Sequence, residues 1–135
     1  MSLPILLQKS AGRQWPLVAV VELDVSDLPT GEETPVIQVP GDSIVVGGEF
    51  IVTEAFGTGN EIDVGDTDTD DRYLDGQAVT TLGRTALGLT GHRYTEPKNL
   101  TVTRAGTADG GAGILIVEYV MLYRATETQS VREDL

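Results

Sequence analysis

Turn-forming residues interrupt this chain about every ten positions, and between them apolar residues alternate instead of recurring at helical spacing. That pattern restricts the fold more than any other feature. From Pro16 the chain reads Leu17-Val18-Ala19-Val20-Val21-Glu22-Leu23-Asp24-Val25. Leu17, Ala19, Val21, Leu23 and Val25 fall on one side of an extended chain, with Glu22 and Asp24 on the other, which predicts a strand with one face inward. Ser26-Asp27-Leu28-Pro29-Thr30-Gly31 supplies the Asp, Pro and Gly of a turn.

The pattern repeats downstream. A short strand is expected over Pro35 to Val39, ended by Pro40-Gly41-Asp42. Ser43 to Val46 opens another apolar run that meets Gly47-Gly48 before Glu49 to Phe56. Paired glycines there form either a hairpin turn or a bulge in one long strand. Glu61 to Gly65 is a brief extended piece, Asp66 to Arg72 is too polar for a core, Tyr73-Leu74 and Gln77 to Leu82 are weaker extended segments, and Leu100 to Thr103 alternates well.

Glycine-rich Gly106 to Gly113 precedes the strongest element, Ile114 to Tyr123. One side of it carries Leu115, Val117, Tyr119, Met121 and Tyr123, the other Ile114, Ile116, Glu118, Val120 and Leu122. A helix fits the length, but the β-branched residues and the two tyrosines favour a strand. A strand apolar on both faces is central in a sandwich or half exposed at a subunit contact.

Short strands at this spacing predict an all-β, single-domain β-sandwich, jelly-roll-like. The absence of cysteine and the position of the sole Trp15 ahead of the first strand argue against an immunoglobulin domain. A length of 135 residues suits one domain. The expected division is an N-terminal arm over 1–15, the sandwich over 16–124 and a polar tail over 125–135. Aromatic residues are only 5% of the chain, so Val, Leu and Ile must fill the core.

Nine Lys and Arg against twenty-one Asp and Glu give a formal charge of -12. Such a field repels nucleic acid, whose binding relies on cations. Lacking cysteine, the chain has no disulfides, thiolate nucleophiles or Cys-based metal sites. The apolar N-terminal run, Leu3-Pro4-Ile5-Leu6-Leu7, precedes its first cation, Lys9, which is the reverse of a signal peptide. No apolar stretch approaches the ~18 residues that span a bilayer. The expectation is a protein made in the cytoplasm, with no membrane and no nucleic acid among its partners.

Few residues carry candidate chemistry. Asp66, Asp68 and Asp70 occupy the alternate positions from which a calcium loop aims oxygens at one centre. Asp71 stands where that loop needs glycine and Gln77 where it needs a bidentate Glu, so a solvated turn is the competing reading. Ca2+ is the one cofactor considered, and otherwise none is expected. His92 is the sole histidine, flanked by Gly91 and Arg93, and is expected at a surface or edge. No Gly-x-Ser-x-Gly elbow occurs, and Gly106 to Gly113 lacks the Lys-Ser or Lys-Thr of a phosphate loop. No catalytic residue is assigned. Leu3, Ile5, Leu6 and Leu7 in the arm, with Tyr119, Met121 and Tyr123 on the last strand, are the partner-binding candidates.

Taken together, Phe50 to Gly59, Ile62-Asp63-Val64-Gly65 and Asp70-Asp71-Arg72-Tyr73-Leu74-Asp75-Gly76, followed more loosely by Gly113 to Val120, resemble small structural proteins of tailed bacteriophages. The resemblance implies a non-enzymatic virion component, a capsid cement or decoration protein that stabilises the head shell. Its implied partners are the capsid protein or other virion proteins and further copies of itself, as dimer or trimer. The alternative is a tail or baseplate module that binds a host receptor or glycan, and a carboxylate-pair glycosidase is a third class.

Overall fold

Alternation in the first apolar run becomes strand β1 (Leu17–Asp24), in which every second side chain turns inward and Leu23 is buried. A computed structural model describes residues 15–122. The further strands are β2 (Glu33–Val39), β3 (Ser43–Glu54), β4 (Glu61–Asp66), β5 (Leu74–Ala78), β6 (Gly83–Ala86), β7 (Arg93–Tyr94), β8 (Lys98–Ala105) and β9 (Ala112–Met121). Val25 leaves the strand for a single 3-10 turn, Val25–Asp27. Asp24 caps that turn by accepting from the Ser26 amide, while Asp27 accepts from the Asp24 amide.

Two antiparallel sheets face each other. The first has the order β1-β9-β3-β6, with β7 also paired to β3, and the second has the order β2-β8-β4-β5. The pairs are nested: β1 with β9, β2 with β8, β3 with β6 and β4 with β5. A long hairpin wound on itself in this way is jelly-roll-like, and the chain is an all-β sandwich as its turn spacing predicts.

Phe50, Leu115 and Val117 from the first sheet meet Val39, Ile62, Val64, Leu100 and Val102 from the second in one apolar core. Gly47 and Gly48 make no hairpin turn. Strand β3 runs through them, and its register against β9 slips between Val45 and Gly47. Gly48 has φ +141°, and a Cβ there would collide with the Ile116 carbonyl oxygen, so the bulge requires glycine. The edge strand β2 carries Pro35 beside its own register shift, a combination that discourages pairing with a further strand.

Candidate interaction surface

In strands, alternate residues face opposite ways, so each inward core residue fixes its neighbour on the outer face. Leu115 and Val117 point into the core, and Tyr119, of the same parity, packs against it. Ile114, Ile116 and Val120 therefore face outward. Register places Val20 beside Ile116, Val18 beside Glu118, Ile51 beside Ile114 and Ile44 beside Val120. The outer face of the first sheet is thus an apolar stripe, on which Val18 is 56% and Val20 59% exposed. Charges border it. Glu49 is held by two hydrogen bonds from Arg84, at 2.7 and 3.0 Å, while Glu22 and Asp24 line a cleft of about 480 Å³ with Asp27, Thr53 and Ile114 where the stripe ends.

The surplus apolar side of β9 thus lies opposite the side carrying Tyr119 and Met121, the candidates read from the sequence. Tyr119 is half-buried against the core, and Met121 is half-buried at the strand end. Leu3, Ile5, Leu6, Leu7 and Tyr123, like the tail over 125–135, lie outside the described residues.

On the second sheet the outward positions include Glu33, Gln38, Glu61, Asp63, Thr101 and Thr103. The 67–72 loop lies across part of this face. A Cβ on Gly65 would meet the carbonyl of Asp70 at 2.5 to 2.6 Å and collide with the Thr69 carbonyl oxygen. Thr101, paired with Gly65, is fully buried, and the Thr101 and Thr103 hydroxyls have no hydrogen-bond partner among the described residues.

Asp66 pins that loop. The sequence reading made it part of an exposed acidic turn, yet the side chain is wholly buried, because it ends β4 at an inward position beside Leu100. Its Oδ2 accepts from Arg72 Nε at 2.5 Å and from the Tyr94 hydroxyl at 2.6 Å. Its Oδ1 accepts from the Asp68 and Thr69 amides at 2.9 and 2.8 Å. Burial opposes ionisation, but the bonds from Arg72, Tyr94 and the two amides outweigh it and hold this carboxyl below the usual range. Burial, then the bond to Asp66, pushes the Tyr94 hydroxyl up, and Tyr73 lies 2.6 Å from it.

The three aspartates named for calcium therefore do not converge. Asp66 spends its oxygens on protein donors, Asp68 accepts from Lys98 at 2.8 Å, and Asp70 is exposed. Among the described residues no three His, Asp or Glu side chains form a group fit to hold a metal ion. His92 is half-buried, its ring edge-on to Tyr94 at 4.8 Å between centroids.

A second buried polar group closes the opposite end of β4 and β8. Arg104 donates to the Leu28 carbonyl at 2.9 Å, and to Asn60 Oδ1 and the Gly106 carbonyl, both at 3.0 Å. Asn60 in turn donates to the carbonyls of Phe56, Gly57 and Thr107. The sequence reading passed over both residues. The available signal was a cation at the inward parity of Leu100 and Val102, a position that calls for buried acceptors.

No protein-family model matches the chain, and no curated protein matches it. Solved structures do. A chain of the cyanophage Pam1 capsid asymmetric unit superposes with a TM-score of 0.65 at 18% identity, covering 90% of this chain and 93% of that one. The fold occurs in phage capsids. A chain of the acid-stable capsid of Helicobacter pylori bacteriophage KHP30 gives 0.61 at 18% identity, covering 79% and 88%, and one of the capsid of Ralstonia phage GP4 gives 0.57 at 16%, covering 79% and 86%. At these identities the likeness is one of fold.

Proposed function

We propose that this chain is a non-enzymatic structural protein of a bacteriophage virion, a cement or decoration protein that binds and stabilises the head shell. The observation that carries this reading is the likeness to chains in three phage capsid structures, over 79 to 90% of this chain. The match takes in 86 to 93% of each of those chains, so it is not confined to one part of a much longer chain. The apolar outer face of the first sheet supports the reading by offering other polypeptides a surface that water disfavours. The acidic balance of -12 supports contact with neutral or basic protein surfaces and against packaged nucleic acid. Many weak contacts repeated over a lattice give strong attachment through effective concentration.

The test is reconstitution. Purified protein added to head shells lacking it should bind to saturation, appear as density on the shell by cryo-electron microscopy and raise the temperature at which shells rupture. Deleting residues 1–10 should lower occupancy while leaving the β circular dichroism spectrum intact. Density on tails alone, or saturable binding to host glycans with none to shells, would replace this reading with that of a tail module.

A further inference from the structure

The first sheet offers a surface that matches the composition of one segment of the chain itself. Residues 1–14 contain the apolar run Leu3 to Leu7, then Lys9 and Arg13, and no Asp or Glu, in a chain whose formal charge is -12. Along the outer side of β1 the order is the same with the charge inverted: Val18, next to Glu118, and Val20, backed by Ile116, then Glu22 and the acidic cleft with Asp24. Alternate residues of a strand stand about 6.7 Å apart on one face. A segment laid parallel to β1, with its leucines over Val18 and Val20, therefore brings Lys9 to Glu22 and Asp24. Two acidic bodies meeting face to face would lack this complementarity.

The same chain is poorly placed to supply the segment. Lying parallel to its own β1, it would have to return from Lys9 at the acidic end to Leu17 at the other, a distance of about 23 Å. Only Ser10 to Pro16 lie between, and the eight steps from Lys9 to Leu17 reach about 26 to 29 Å when fully taut, which leaves little for the reversal of direction needed at each end. Trp15, two residues before β1, is 82% exposed and not packed back on the sheet. We infer that the outer face of the first sheet is a docking site for the N-terminal segment, residues 3–9, of a second copy of this chain. Each copy is then donor and acceptor at once, so copies link head to tail, in closed rings or along a lattice. The inference goes beyond the shell-binding reading and is independent of it.

A photo-crosslinking residue in place of Ile5 tests it in the full-length protein. Isotopically heavy and light copies are mixed, irradiated and analysed by mass spectrometry. Heavy-to-light crosslinks should land on β1 or β9, and Val20→Asp should reduce them at least tenfold with the circular dichroism spectrum unchanged. Raising salt should weaken them, because an ionic contact takes part. Crosslinks confined to one copy, crosslinks to the second sheet, or no crosslinks at all would overturn the inference. Shell occupancy of the same preparation is scored separately, so linking can fail while shell binding persists, and the reverse.

Discussion

On the second sheet the side chains that point away from the core include Glu33, Gln38, Asp63 and Thr103, and the 67–72 loop lies over Gly65 and Thr101. The same outward positions on the first sheet include Val18, Val20, Ile114, Ile116 and Val120 around Glu118, with the two valines more than half exposed. Both sheets follow one backbone rule, in which every other residue faces out. What differs is how each face meets water. The second is polar and partly roofed by the protein's own loop, whereas the first keeps hydrocarbon at the surface, an arrangement that favours association.

Removing the pin of the roof should have the largest effect. Asp66→Asn keeps the shape but leaves Arg72 without its anion and Tyr94 without a charged acceptor. Stability should fall by about 3 kcal/mol in urea denaturation, the cost of breaking a buried ion pair. Acid should act on the same group. The folded carboxyl lies below the unfolded value of about 3.9, so its contribution is complete above that value and disappears as pH falls through the lower folded one. Denaturation midpoints followed below about pH 4 should therefore drop more steeply in the native protein than in the Asn variant.

The bare face should respond in association and not in folding. Val20→Asp should change unfolding free energy by less than about 0.5 kcal/mol, as exposed substitutions do, while weakening association between copies about tenfold or more in sedimentation equilibrium. Under the roof, Thr101→Val removes a buried hydroxyl that has no partner, and should raise the denaturation midpoint by about 1 kcal/mol equivalent. Gln38→Asp, on the exposed part of the second sheet, should alter neither property measurably. Equal loss of association from Gln38→Asp and Val20→Asp would erase the contrast between the faces.

The sequence exposed some of this structure and concealed the rest for physical reasons. Alternation in Leu17 to Asp24 identified β1 and its inward face, because Glu22 and Asp24 break the symmetry between its two sides. In β9 both sides are apolar, so alternation alone could not separate the core side, with Leu115 and Val117, from the outer side, with Ile114 and Ile116. Deciding it takes the opposing sheet. The paired glycines left turn and bulge open, and only pairing with β9 resolves them. Asp66 read as a surface acid because Tyr94, which helps to hold it, comes from a strand far along the chain. Arg104 and Asn60 were missed likewise, since their acceptors lie in three separate connections.

Because the first and last strands of the chain pair with each other, Leu17 sits opposite Tyr119, and the two ends of the sandwich emerge at one corner. A circularly permuted gene, with Leu122 joined to Leu17 by a short linker and the chain opened at the exposed Asp109, would preserve the strand pairings while moving both termini to the far side. Cargo fused to the native ends and cargo fused to the permuted ends would then project from opposite poles of the same scaffold.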